Sequence, residues 1–155
     1  MRQPRRIVRN ARYHVVARAN RGEFILERHA MKELLLATIA RAHKKYEFRV
    51  ENFCVMGNHV HMIVQPLRDS KLSRIMQWIL STFAINFNRI HHLRGHVWYD
   101  RFHSTVIETL KQYLQTFDYV NMNPVKVGLA VKPTEYPYCG VRHILDGNFS
   151  VVDPP

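Results

Sequence analysis

Residues 48–65 read FRVENFCVMGNHVHMIVQ, two runs rich in apolar, β-branched and aromatic side chains on either side of Gly57-Asn58. Runs of this kind around a Gly-Asn pair are typical of two antiparallel strands joined by a tight turn. Side chains alternate between the two faces of a strand, so one face of the second strand is apolar and carries Val60, Met62 and Val64. The segment therefore predicts a β-hairpin that faces a core on one side.

The elements around this hairpin follow from hydrophobic spacing. A strand is predicted at 12–19 and a helix at about 30–45 before the hairpin, then a long helix at 71–92, a strand at 103–108 and a last helix from 110 to about 123. Pro124 disfavours continuation of that last helix. The order β-α-β-β-α-β-α predicts an α+β protein, a ferredoxin-like split β-α-β sheet with an added C-terminal helix. With its helices on one face, the sheet would leave its other face open to a substrate.

The length of 155 residues suits a single domain spanning 1–155. Residues 1–11 form a basic arm and residues 141–155 a tail. The cations of the arm are Arg2, Arg5, Arg6 and Arg9.

The charge balance points to an anionic partner. Lys and Arg number 23 against 12 acidic residues, a net charge of +11, which favours nucleic acid and, as a weaker alternative, an anionic membrane surface. No segment is long and apolar enough to span a bilayer, and no secretory signal follows the basic N-terminus. Two cysteines do not make a disulfide framework, so we expect a cytoplasmic protein without membrane association.

The two histidines of the hairpin, His59 and His61, leave the face of the strand opposite the core. Two imidazoles on one face can share a divalent ion, although from this pattern alone two surface histidines in a His-rich chain are the favoured reading. If the hairpin loop has two residues, Cys54 lies opposite His61. A zinc site with Cys54 is then conceivable, although a small buried side chain is the preferred reading of that cysteine.

The last helix carries two tyrosines in different surroundings. On a helical wheel, Tyr113 joins an apolar stripe with Leu110, Leu114 and Phe117 and is expected in the core. Tyr119 falls on the polar side, one turn before Asn123. A tyrosine beside an amide is a candidate nucleophile with a candidate metal ligand. The alternative is an exposed tyrosine and a helix-terminating asparagine.

Cations and rings alternate before the fourth strand, where Arg94, Trp98, Tyr99, Arg101, Phe102 and His103 follow one another. Such interleaving suits phosphates and stacked unpaired bases. Alternatively, Trp98 and Phe102 belong to the core and only the arginines meet DNA. Further candidate phosphate contacts are Arg12, Arg18 and Arg21.

Together these segments resemble a known family. GNHVHMIV, VWYDRFHSTVIE and DYVNMNPVKVGLA, with RYHVVARANR and EYPYCG, resemble the sequence blocks of single-tyrosine HUH transposases of the insertion-sequence 200/605 type, in particular REP-associated tyrosine transposases. The resemblance runs from Arg12 to Gly140. Two positions depart from the pattern: Gly57 stands where the family usually has proline, and Asn123 where transposon-encoded relatives carry glutamine.

The resemblance implies a role for each site residue. His59, His61 and Asn123 would bind Mg²⁺ or Mn²⁺, and Tyr119 would attack a phosphate of hairpin-containing single-stranded DNA to form a 5′-phosphotyrosine. It implies either a monomer with its own complete site or a homodimer exchanging the Tyr119 helix. Two other functions remain open: a zinc hydrolase using Cys54, and a non-catalytic nucleic-acid-binding module.

Overall fold

The computed structural model describes residues 4–155, so Arg2 of the basic arm lies outside the described residues. Its strands are β1 (Arg12–Arg18), β2 (Phe48–Val55), β3 (His59–Pro66) and β4 (His103–Ile107). Its helices are α1 (His29–Ala42), α2 (Leu72–His91), α3 (Leu110–Lys126) and α4 (Gly140–Leu145). Short 3₁₀ turns lie at Asn20–Gly22 and Pro133–Glu135. The predicted order β-α-β-β-α-β-α is confirmed, and α4 is a helix that the sequence did not predict.

The four strands form one antiparallel sheet in the order β2-β3-β1-β4. β3 lies between β1 and β2, as a split β-α-β unit requires, so the predicted fold class is confirmed. Helices α1 and α2 pack against one another on one side, and the core contains Leu35 and Ile39 from α1 and Ile79 and Phe83 from α2. No helix in residues 4–155 combines the length and the apolar character needed to cross a membrane.

The hairpin has the predicted register and one unpredicted irregularity. The Met56 amide donates to the His59 carbonyl oxygen at 2.9 Å, which closes a loop over residues 57–58 and places Cys54 opposite His61. Between Val50 and Asn52 the register shifts by one residue. This β-bulge exchanges the faces of β2, so that Asn52 leaves the core side and lies next to Ile63.

The second face of the sheet is only half open, and the expectation of a free face was wrong. α3 packs against β2 and β3, and α4 packs against β2. Beneath them Asn52, Cys54, His61 and Ile63 are all buried. On the β1–β4 half, His14, Val16 and His103 remain at least partly exposed. The boundary between the two halves runs beside the two histidines of β3.

α3 departs from its predicted end and orientation. It continues through Pro124 to Lys126, and the proline ring is buried. Leu110 and Leu114 are 73% and 58% exposed, although the wheel placed both in the apolar stripe. The face toward the protein instead carries Tyr113, Phe117, Val120 and Pro124. The wheel anchored on Leu110 was wrong because the inward face is rotated toward Tyr113, Val120 and Pro124, which leaves Leu114 at its edge.

The C-terminal tail and the described part of the basic arm both pack against the rest of the fold. Val151 and Val152 are buried, and Asp153 exchanges two hydrogen bonds with the Val50 backbone, so the C-terminal tail adds to the fold. In the basic arm, the Arg5 guanidinium lies 3.6 Å from the centre of the Phe102 ring, and Arg6 pairs with Glu108. These two arginines already have protein partners along β4.

Gly140 permits the close approach of α4 to β2. A Cβ at this position would lie 2.4 Å from the Asn52 Oδ1 atom and 3.1 Å from the Phe53 amide nitrogen. Gly140→Ala is therefore expected to lower the free energy of unfolding by on the order of 1–3 kcal/mol, because the backbone must shift to relieve the overlap. Urea denaturation checks this. Ser81→Ala, at an exposed position within α2, is the matched control. Equal midpoints for the two variants would contradict the expected overlap.

Candidate active site

The two histidines of β3, His59 and His61, lie at the end of the strand next to the hairpin loop and share one face. Their ring centroids are 5.0 Å apart, with the planes at 80°. His59 is half-buried, whereas His61 is only 2% exposed because α3 covers it. One row across the sheet joins Cys54, His61, Val16 and His103, so the histidines stand in the middle of the sheet and not at an edge.

α3 brings Tyr119 onto this row. Its ring stands edge-on to His61, with centroids 5.5 Å apart and planes at 81°. The side chain remains 44% exposed, so a large substrate can reach it from solvent. The nucleophile candidate and one candidate ligand are thus in contact within a single chain.

The β-bulge holds α3 in place. The side-chain nitrogen of Asn52, Nδ2, donates to Asn121 Oδ1 at 2.8 Å. The Tyr113 hydroxyl donates to Glu51 Oε2 at 2.8 Å. At the start of α3, Thr109 and Gln112 form a reciprocal capping box that satisfies the first backbone amides. These contacts fix both the height and the rotation of the helix over β3.

Tyr113 is part of this attachment and not of the site. Its burial, together with the hydrogen bond to Glu51, raises its pKa to about 12. Deprotonation of Tyr113 is therefore disfavoured. The predicted distinction between an inward Tyr113 and an outward Tyr119 agrees with the structure.

Each histidine uses its Nδ1 atom within the protein. His59 Nδ1 lies 2.7 Å from Asn58 Oδ1, and His61 Nδ1 lies 3.0 Å from His14 Nε2. The Nε2 atoms have no protein hydrogen bond among the described residues. Metal-binding histidines commonly engage one ring nitrogen in this way and ligate through the other. The pair therefore fits a divalent ion.

The electrostatics keep these imidazoles neutral. Burial lowers the pKa of His61 to about 3, with the neighbouring His59, His14, Arg18 and Lys126 acting in the same direction. Burial also lowers the pKa of His59, helped by Arg18. A neutral imidazole has the lone pair that a metal ion needs.

Further ligands would have to come from other kinds of group. Among the described residues, no cluster of three or more His, Cys, Asp or Glu side chains is arranged to hold a metal ion. Asn123, one turn beyond Tyr119, donates its amide nitrogen to the Tyr119 carbonyl oxygen at 3.0 Å. Its carboxamide oxygen is the atom left for a ligand.

Cys54 lies in the predicted register but does not suit a zinc site. It is fully buried, contacts the Met56 sulfur at 3.6 Å and faces Cys139 across an isolated bridge. Burial, followed by the nearby Cys139, raises the pKa of its thiol far above the ordinary range. A protonated thiol is a poor ligand, which argues against the zinc hydrolase.

The arrangement of a tyrosine over paired histidines on a split β-α-β sheet agrees with the comparison with known families. The family model described as "Transposase IS200 like" matches residues 7–123, about three quarters of the chain. The chain belongs to the IS200-like transposase family. Among curated proteins, it is 25% identical over 103 residues to a Haemophilus influenzae (strain Rd) protein assigned as a REP-associated tyrosine transposase. The alignment spans 60% of this chain and 58% of the relative.

Two solved structures share the fold. A REP-associated tyrosine transposase bound to a REP hairpin superposes with a TM-score of 0.78 and 22% identity, covering 94% of this chain and 86% of that one. A Deinococcus radiodurans protein assigned as a transposase gives 0.52 and 14%, covering 77% of this chain and 95% of its own. The predicted resemblance to REP-associated tyrosine transposases is confirmed.

The predicted DNA-binding residues of this chain differ in their surroundings. Arg18, Arg21, Arg94, Arg101 and His103 are exposed, and Arg21 and Arg94 line one cleft of about 330 Å³ with Asn20 and His96. Arg12 is also exposed and Trp98 is half-buried, and each of these two has a partner within the protein. Arg12 Nε lies 2.5 Å from Glu51 Oε1, and Trp98 Nε1 donates to the Leu80 carbonyl oxygen at 3.0 Å.

Trp98 is half-buried and packs against the core. Its ring lies 5.4 Å from Phe83 of α2, and Phe102 is also buried. The alternative reading as core is confirmed for Phe102, whereas Trp98 packs against the core from a half-buried position. Tyr99 is the exposed ring of the segment.

Two residues near the site were missed from the sequence. His14 of β1 contacts His61, and the Lys126 ammonium lies 4.5 Å from the centre of the Tyr119 ring. Lys126 follows Tyr119 by seven residues, two helical turns, and this spacing is a signal for their contact. His14 lies on the same face of β1 as Val16 and Arg18. The strand that pairs with β1 could not be known from the local sequence.

Proposed function

We propose that this chain nicks and rejoins hairpin-containing single-stranded DNA through a 5′-phosphotyrosine on Tyr119. The contact between the exposed Tyr119 ring and the neutral, buried His61 is the observation that carries the proposal. The family assignment and the solved relative bound to a REP hairpin support the same kind of substrate.

In the proposed reaction, the Tyr119 oxygen attacks a DNA phosphorus atom. The new bond joins phosphorus to the phenolic oxygen, and the bond from phosphorus to the 3′ oxygen breaks. The phenol proton is released to solvent and the leaving 3′ oxygen takes up a proton. Reversal by another 3′-hydroxyl restores a phosphodiester and frees Tyr119, so no high-energy cofactor is needed.

A divalent ion, Mg²⁺ or Mn²⁺, is proposed at His59, His61 and the Asn123 oxygen, where it would supply Lewis-acid polarisation of the scissile phosphate. The protein supplies the remaining features of the site. Asn58 and His14 orient the histidine rings, the β-bulge positions α3, and Lys126 places a positive charge beside the Tyr119 ring.

Tyr119 and His61 of the same chain are in contact. This supports a subunit that acts with its own tyrosine, either as a monomer or as one half of a homodimer. Exchange of α3 between subunits is not needed to assemble the site.

The direct test is covalent capture. The protein is incubated with Mn²⁺ and labelled single strands that carry a hairpin and varied flanking bases, and the products are separated on a denaturing gel. We expect a labelled protein–DNA band that protease digestion removes. The same strand annealed to its full complement is the control, and it should give no band. Tight binding to hairpins without any adduct would favour the non-catalytic binding module.

Binding is expected to depend strongly on salt, because a net charge of +11 on 155 residues must be neutralised largely by phosphates. If Z phosphates are contacted on a single strand, the logarithm of the affinity should fall with the logarithm of salt concentration with a slope of about −0.7Z. Fluorescence anisotropy of a labelled hairpin at several KCl concentrations measures the slope. Replacing Arg21 and Arg94 together by alanine should make it shallower. An affinity indifferent to salt would contradict an electrostatic interface.

A further inference from the structure

His14 of β1 lies beside His61 on the same face of the sheet. It is paired with Ile63, and Val16, two residues on, is paired with His61. The His14 and His61 rings are therefore diagonal neighbours on adjacent strands. The Tyr119 ring covers both, with its centroid 6.0 Å from His14 and 5.5 Å from His61.

The two imidazoles meet edge to edge. Their planes differ by only 15°, and their centroids are 5.2 Å apart, whereas the facing nitrogens, His14 Nε2 and His61 Nδ1, are 3.0 Å apart. Since the nitrogens are much closer than the centroids, the rings lie nearly in one plane with their edges facing. This is the geometry of an N–H···N hydrogen bond.

A hydrogen bond between two neutral imidazoles contains one proton, so one ring donates and the other accepts. The facing nitrogens are only 3.0 Å apart, so they cannot both carry a proton. A neutral imidazole has one N–H and one lone pair, and whichever nitrogen donates leaves the other with the lone pair. The direction of this hydrogen bond therefore decides whether His61 Nε2 can bind a metal ion.

His59 shows the arrangement that ligation requires. The side-chain nitrogen of Asn58, Nδ2, lies 3.5 Å from the Gly22 carbonyl oxygen, and the side-chain oxygen, Oδ1, faces His59 Nδ1. A carboxamide oxygen can only accept, so His59 donates from Nδ1 and keeps the lone pair on Nε2. For His61, the corresponding acceptor is the ring of His14.

We propose that His14 is a positioning residue: it accepts a hydrogen bond from His61 Nδ1 and thereby holds His61 in the tautomer whose Nε2 is free to ligate a divalent ion. The inference rests on the proposed function in one respect, the ion held by His59 and His61. His14 itself protonates on Nδ1 and does not ligate through the nitrogen that faces His61.

Two substitutions separate the hydrogen bond from the volume of the ring. His14→Phe fills the space without an acceptor, whereas the carboxamide oxygen of His14→Gln can still accept from His61 Nδ1. Thr105→Val is the matched control. Thr105 is the residue of β4 that pairs with His14, on the side of β1 away from β3. Amide spectra of each variant establish that the fold is retained.

The first measurement is the tautomer of His61 in the metal-free protein, from ¹⁵N imidazole chemical shifts. We expect the Nδ1–H form in the wild type, in His14→Gln and in Thr105→Val, and a mixture of forms in His14→Phe. A wild-type His61 that is protonated on Nε2, or a tautomer unchanged in His14→Phe, would overturn the proposal.

The second measurement is Mn²⁺ affinity by electron paramagnetic resonance without DNA. His14→Phe should weaken binding by about 10- to 100-fold, the usual effect of removing a group that orients a ligand. His14→Gln should recover most of that loss. Wild-type affinity in His14→Phe would overturn the positioning role. A wild type that binds no Mn²⁺ yet shows Nδ1–H on His61 would instead contradict the metal part of the proposed function.

Discussion

Tyr119→Phe is expected to abolish the covalent protein–DNA adduct while leaving the fold and the DNA affinity close to those of the wild type. The substitution removes one oxygen atom, which is the proposed nucleophile, and no partial activity through this route can remain. The ring itself stays to cover His14 and His61. Because the side chain is 44% exposed and its hydroxyl makes no hydrogen bond among the described residues, loss of the hydroxyl should cost little stability.

Tyr113→Phe is the matched control on the same helix. It removes the hydrogen bond to Glu51 Oε2 and should lower the free energy of unfolding by about 0.5–1.5 kcal/mol, yet adduct formation should persist. Both variants are mixed with a cleavable hairpin strand and Mn²⁺ and compared on denaturing gels. An adduct formed by the Tyr119→Phe protein and mapped to another tyrosine would show that Tyr119 is not the nucleophile.

Removing either histidine of β3 is expected to have the second large effect, loss of cleavage with DNA binding largely retained. We expect contacts with phosphates elsewhere on the protein to carry most of the affinity, without the histidines. His59→Ala is the cleaner variant because His59 is half-buried at the end of its strand. His61→Ala removes a fully covered side chain and leaves His14 Nε2 without its partner, which adds a stability cost of about 1–3 kcal/mol.

Single-turnover cleavage with and without chelator measures this effect, and anisotropy measures binding in parallel. We expect the wild type in excess chelator to match His59→Ala, and added Mn²⁺ to restore only the wild type. Cys54→Val should cleave normally, since that thiol is buried and protonated. Full cleavage by the wild type in chelator would refute a metal-dependent reaction, and loss of metal binding in Cys54→Val would revive the zinc site.

The hairpin shows how far local pattern predicts structure. Alternation and the Gly57-Asn58 pair predicted the register, the shared face of His59 and His61, and the pairing of Cys54 with His61. These follow from short-range geometry, since period-two alternation and a two-residue turn leave little freedom. The bulge at Glu51 was not predicted, because it depends on the contacts that β2 makes with α3.

Trp98 and Leu110 show where local pattern is ambiguous. An aromatic residue between arginines can stack on bases or pack on a helix, and only the position of α2 decided that Trp98 packs. A leucine at the start of a helix contributes to the core only if the helix has a neighbour at that point. Leu110, the first residue of α3, is 73% exposed.

The sequence by itself determined the order of the elements, the sheet class, the face of the paired histidines and the outward position of Tyr119. Each depends on a repeat of two or 3.6 residues along one segment, which the chain carries locally. Only the tertiary structure decided which face α3 covers, that His61 is buried, and that His14 is its hydrogen-bond partner. These depend on pairings between residues 47 or more positions apart, because burial and the tautomer of an imidazole belong to the surroundings of a side chain and not to its place in the sequence.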